Sequence, residues 1–201
     1  MSTEDLKNTA KHLLSLPGNV KGEVIITNLR YIRSQEGLQG MEKLQDKMYE
    51  LGADINFEDI KPFKWYSEGF NSLVVVAAKE IFGWTDDDIF EMGHSTLKLS
   101  FLAKLIMQYF VSVRRVFDNA SKYWEKHFDI GKIELVEFDE GKGRAVLRIK
   151  EFVMHPVNCT YQRGYFKSIT ELLVKTKEVR VEETKCVHNG DDYHEFLISW
   201  K

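Results

Sequence analysis

The sequence predicts an α+β fold in which a mainly helical N-terminal part packs on a C-terminal antiparallel sheet of β-β-α-β-β order. Three features point to it. Most apolar residues recur at helical period up to Gly131, and alternation dominates after it. Asp139-Glu-Gly-Lys-Gly143 and His188-Asn-Gly-Asp-Asp192 are glycine-bearing segments between alternating runs, the pattern of β-hairpins. Between those hairpins, Tyr161–Lys175 spaces Tyr165, Ile169, Leu172 and Leu173 as one helix face.

Asp5–Leu16 reads as an amphipathic helix ended by Pro17-Gly18. Val20–Leu29 is β-branched and apolar enough to begin as a strand, with Asn28–Arg33 turning helical. Gly40–Leu51 places Met41, Leu44, Met48 and Leu51 on one stripe before a Gly52 cap. Glu68–Phe82 is apolar around Leu73–Ala78 and reads as a helix in contact on most sides. Thr85, followed by Asp86, Asp87 and Asp88, supplies a capping hydroxyl and an acidic first turn, with Gly93 as the expected stop. Leu97–Val113 is apolar on almost every face and reads as the central helix of the domain. Asp118–Phe128 continues as a helix carrying Tyr123 and Trp124. The strands are Lys132–Asp139, Gly143–Phe152, Lys177–Val187 and Tyr193–Trp200.

With 201 residues, the chain is expected to form a single domain over 1–201, helical to about 130 and sheet-bearing from about 131. Its 28 basic and 31 acidic residues are nearly balanced and form no basic run, which argues against nucleic-acid binding. The longest apolar stretch is broken by Lys104 and Gln108, so membrane insertion is not expected. Met1–Leu6 has no apolar signal region, and a cytoplasmic location with reduced thiols is the expectation.

Coordination chemistry is concentrated in Cys159, Glu183, Cys186 and His194. Two sulfurs, a carboxylate oxygen and an imidazole nitrogen would close a tetrahedral shell around zinc. The last hairpin would bring Cys186 and His194 together. In a regular strand Glu183 and Cys186 face opposite sides and Glu182 shares the face of Cys186, so a bulge or strand end near Lys185 is needed to bring Glu183 round. Glu182, His155 and His188 therefore stay open as alternative ligands. Cys159 opens a helix, a position that favours the thiolate.

Around these residues the chain resembles the 4-vinyl reductase domain family, part of a fold group that includes haem–nitric oxide binding domains and Golgi vesicle-tethering (TRAPP) subunits. The resemblance rests on Pro156-Val-Asn-Cys159-Thr-Tyr161-Gln-Arg-Gly164-Tyr165 and on Val181-Glu-Glu183-Thr-Lys-Cys186, followed by the turn at Gly190 and by His194. It implies a structural zinc on Cys159, Glu183, Cys186 and His194, with His194 where the family's aromatic-compound sensors have a third cysteine. It also implies a sensor domain that takes a hydrophobic or aromatic small molecule between helices and sheet, a homodimer, and a signalling partner protein. The candidate pocket residues are Phe101, Leu105, Tyr109, Phe117, Trp124 and Tyr165. A scaffold role of the vesicle-tethering type is the alternative from another class, with a haem-binding gas sensor and an enzyme of tetrapyrrole metabolism ranked below it.

Haem is not expected on the sequence. Tyr109-Phe-Val-Ser112-Val-Arg114 lacks the Tyr-x-Ser-x-Arg spacing of the fold group's haem-binding members, and Ser121 falls where their axial histidine is expected. His127 and His94 are the remaining candidate iron ligands. No phosphate loop, nucleophile elbow or H-E-x-x-H motif is present, and no catalytic residue is assigned.

Overall fold

A computed structural model describes residues 2–99, 112–176 and 178–201 of the chain, with side chains 97–99 also left undescribed. Helix α1 (Thr3–Ser15) opens on a capping box, in which Ser2 accepts from the Asp5 N–H and Asp5 accepts from the Ser2 N–H. Strand β1 is only Asn19–Lys21 and pairs antiparallel with β2 (Trp65–Ser67). The strand expected from Val20 is therefore three residues long, and helix α2 (Gly22–Glu50) starts at once. Its buried residues include Ile25, Leu29, Ile32, Leu44 and Met48, and burial of this face outweighs the β-branched propensity of the opening. Gly37, at φ 69°, kinks this helix.

Helix α3 (Glu68–Phe82) is buried along Glu68–Ala78, as its apolar run predicts. Helix α4 (Asp86–Leu99) runs through Gly93 rather than stopping there. At Gly93 a Cβ would lie 2.0 Å from the carbonyl oxygen of Tyr161, and at Gly164 a Cβ would lie 2.0 Å from that of Phe90. The two glycines thus let α4 and helix α7 (Pro156–Val174) cross backbone to backbone. The expected central helix Leu97–Val113 lies almost wholly outside the described residues. The helix expected over Asp118–Phe128 is two short ones, α5 (Val113–Asp118) and α6 (Ala120–His127).

Strands β3 (Lys132–Asp139), β4 (Arg144–Lys150), β5 (Val179–Lys185) and β6 (His194–Trp200) form an antiparallel sheet of order β3-β4-β6-β5, with α7 between its hairpins. The helical N-terminal part and the C-terminal sheet of the sequence reading are both present. Phe196 and Ile198 on β6 are fully buried, each contributing roughly 1.5–3 kcal/mol of apolar burial. Two apolar cores result. One lies among α1–α4 with Val157 of α7, the other between the sheet, α5, α6 and α7.

Candidate functional site

A cavity of about 170 Å³ lies where these two cores meet. Phe117, Trp124 and Tyr165 line it, as the sequence reading has them; Phe101, Leu105 and Tyr109 lie outside the described residues. Trp124 stacks on Phe128, with ring centroids 4.3 Å apart, and meets Phe152 edge-on at 5.6 Å. This aromatic wall suits a flat, apolar body. His127 also lines the cavity. Its Nδ1–H donates to the Tyr123 carbonyl at 2.9 Å, because a carbonyl can only accept, and this leaves the Nε2 lone pair available. His94 instead places Nε2 2.7 Å from Glu171, outside the cavity lining.

The opposite wall is polar and was missed in the sequence. Tyr161 donates to Asn28 Oδ1 at 2.8 Å, and Asn28 Nδ2 donates to Asn71 Oδ1 at 3.0 Å. Asn71 Nδ2 in turn donates to Glu68, at 3.1 Å from Oε2. Asn28, Glu68, Asn71, Tyr161 and Gln162 all line the cavity. Burial pushes the Glu68 carboxyl up to about 8, against the lowering effect of the hydrogen bonds from Asn71 and Ser72. Burial likewise pushes the Tyr165 phenol up to about 12. The sequence signal was slight: a carboxylate and two small polar residues at the start of an apolar helix, with no periodicity to mark them.

Beside the cavity, the structure brings Cys159, Glu183, Cys186 and His194 together, with one ligand atom from each within 4.8 Å of all the others. Each is placed by local folding. His155 caps α7 by accepting the Val157 N–H at 3.1 Å, and Pro156 takes the first helical position, where its missing N–H costs nothing. That start puts Cys159 in the first turn, facing β5 and β6. The register shifts between Glu183 and Lys185, the irregularity needed to turn Glu183 toward Cys186, while Glu182 is exposed. After Cys186 a short turn at Val187–Asn189 closes on Gly190 at φ 94°, and Asp191 accepts the Cys186 N–H at 2.9 Å. His155 is engaged as the cap and His188 is exposed, so neither alternative ligand belongs to the group.

The distances match a coordination shell. Two sulfurs each ~2.3 Å from one ion at a tetrahedral angle are ~3.8 Å apart, and a sulfur and a nitrogen are ~3.5 Å apart. Cys159 Sγ lies 3.7 Å from Cys186 Sγ and 3.6 Å from His194 Nδ1. His194 Nε2–H donates to the Phe152 carbonyl at 3.0 Å, which directs the Nδ1 lone pair at the cluster. Burial alone would raise Glu183, yet the neighbouring His194 imidazole and the two thiols hold its carboxyl below the ordinary value. Burial pushes both thiols up, opposite to the helix-terminus effect expected for Cys159; a cation at the centre would reverse that.

No family model and no curated protein matches this sequence. Solved structures do match its fold. An H-NOX protein from S. oneidensis in the Fe(II)NO ligation state aligns at TM-score 0.70 and 14% identity, covering 90% of this chain and 99% of that one. An oxygen-binding H-NOX domain related to soluble guanylate cyclases, in its oxygen complex, aligns at TM-score 0.62 and 13% identity, covering 90% and 95%. A structure described as probing the function of heme distortion in the H-NOX family aligns at TM-score 0.62 and 14% identity, with 90% and 95% covered.

These matches correct two expectations. The solved structures that share the fold are H-NOX domains, not 4-vinyl reductase domains. Zinc as the chain's cofactor, with haem set aside, falls with that resemblance, because the fold is one found in haem proteins. Residues 109–111 of the segment whose motif spacing spoke against haem lie outside the described residues. The homodimer had rested on the same resemblance. Among the described residues no helix is long and apolar enough to cross a membrane.

Proposed function

We propose that this chain is a ligand-binding sensor module whose helix–sheet cavity takes a flat, largely apolar molecule, with haem the first occupant to test. The observation that carries this reading is the aromatic-walled cavity at the junction of the two cores, in a fold shared with haem-binding H-NOX domains. The lining suits the group in two respects, and the cavity, at about 170 Å³ smaller than a whole haem, would have to widen to take it. Trp124, Phe128 and Phe152 offer flat apolar surface, and His127 presents an imidazole whose Nδ1–H is already fixed by a backbone carbonyl. Haem would supply the iron that binds a small gas molecule. The chain would orient the macrocycle, exclude water and, through His127, offer a nitrogen to the iron. Its propionates would reach solvent or amide groups, since no Lys or Arg lines the cavity among the described residues. Occupancy would be relayed to a partner protein. Hemin titration tests this: the wild type should give a Soret band with the position of an imidazole complex, and His127→Ala should lose that position.

The cluster of Cys159, Glu183, Cys186 and His194 is proposed as a structural site for one divalent metal ion that pins α7 to the last hairpin. Four protein ligands leave no open position for a substrate. Metal content of the purified protein, with and without Cys186→Ser, is the test.

A further inference from the structure

We infer that the polar wall of this cavity recognises a ligand bearing a protonated nitrogen on a flat apolar body, with Glu68 as the counter-ion and Gln162 as a second acceptor. The inference rests on the cavity being a ligand site and names an occupant other than haem, which carries no protonated nitrogen.

The hydrogen bonds on this wall run one way. The Tyr161 hydroxyl, the Asn28 amide and the Asn71 amide each donate to the next residue, and the series ends on the Glu68 carboxyl. Asn71 and Ser72 supply neutral hydrogen bonds to Glu68, and no ion pair to it is present among the described residues. A fully buried carboxyl in this setting keeps its proton at neutral pH, because neutral donors do not offset the loss of water. A cation brought beside it supplies what the protein omits.

Gln162 points to the same chemistry independently. The residue is 6% exposed and lines the cavity one position after Tyr161. Its Oε1 is buried without a hydrogen-bond partner. Such an orphan acceptor keeps the desolvation cost of its burial, and a ligand N–H relieves it. Gln162 Oε1 is an unmatched acceptor, Glu68 has neutral partners but no cation, and no Lys or Arg lines the cavity among the described residues. A carboxylate ligand offers Gln162 no donor and can do no more than share the Glu68 proton. An ammonium or protonated N-heterocycle satisfies both.

Three probes sharing one aromatic body separate the possibilities: 2-naphthylmethylamine, 2-naphthylmethanol and 2-naphthoate, titrated calorimetrically at neutral pH. A charge-assisted hydrogen bond in a buried site predicts that the amine binds about 10–100-fold tighter than the alcohol. The naphthoate should be weaker than both. Pairing ionises Glu68, so amine binding should release up to one proton to buffer, read from heats in two buffers of different ionisation enthalpy. Glu68→Gln should remove the amine's advantage over the alcohol and the proton release. The proton release is measured on the wild type, so it decides the matter even where the variant folds poorly. Equal affinity of amine and alcohol overturns the inference and leaves the cavity as a ligand site. An amine preference that survives Glu68→Gln, or comes without proton release, also overturns it. Binding of none of the three overturns the inference, while the cavity reading stands or falls on hemin.

Discussion

Cys159 and Cys186 bring their sulfurs to 3.7 Å from opposite sides of one small cluster, the first from helix α7 and the second from the end of strand β5. That separation is too long for a disulfide and right for two thiolates on one ion. Glu183 and His194 each bring a ligand atom within 4.8 Å of both sulfurs, so four residues spread over 36 positions of sequence converge on one point.

The purified protein should carry one divalent metal ion per chain. Cys186→Ser or Cys159→Ser should abolish it, and chelation should lower the thermal midpoint, because metal bound only to the folded chain adds to folding stability. Metal-free protein with two freely titrating thiols would refute the cluster as a metal site.

Glu68 gives stability a definite pH dependence. Its pKa is raised to about 8 in the folded chain, so between the ordinary carboxylate range and about pH 8 the folded state holds a proton that the unfolded state has lost. Stability from this group is therefore full at low pH and declines as pH rises, by up to ~1.4 kcal/mol per unit. Denaturant unfolding at several pH values between 5 and 8 measures the slope, and Glu68→Gln should flatten it. An unchanged slope would show that Glu68 does not titrate as described.

Gly93→Ala and Gly164→Ala should each destabilise the fold by about 1–3 kcal/mol, because the added Cβ would lie 2.0 Å from a backbone carbonyl oxygen across the α4–α7 crossing. Chemical denaturation reads the loss. Gly52→Ala is the contrast: a Cβ there meets nothing within 4 Å, and the cost is only that of φ at 82°.

The arrangement of strands was legible because alternation and turn glycines are local signals. Lys132–Asp139 is a strand with those bounds, and the other three strands fall inside their expected ranges. The start of α2 was not legible, since only burial of Ile25, Leu29 and Ile32 against other helices overrides their strand preference. Gly93 reads as a helix stop, yet its role is close approach to a helix some seventy positions away, which no local pattern encodes. All four cluster residues were identifiable by type. What the sequence could not decide between Glu182 and Glu183 was settled by the register shift after Glu183, a tertiary irregularity. The polar wall stayed hidden because Asn28, Glu68, Asn71 and Gln162 come from three helices and acquire meaning only when those helices pack.

Ala120 faces the cavity from α6. Ala120→Phe should fill part of it and weaken ligand uptake at least tenfold while leaving the metal content unchanged, since the cluster residues do not line the cavity. Parallel ligand titration and elemental analysis of the variant check this. Loss of both together would mean the two sites are coupled or the variant misfolds.

Whether the cavity is a ligand site at all is decided by titrating hemin into the purified protein, because Trp124 lines the cavity and reports its occupancy by fluorescence. A ligand-binding cavity of this kind predicts saturable quenching at one hemin per chain, a Soret band that depends on His127, and weaker uptake by Ala120→Phe. No saturable uptake by the wild type, with no other small molecule released on denaturing the purified protein, would contradict it.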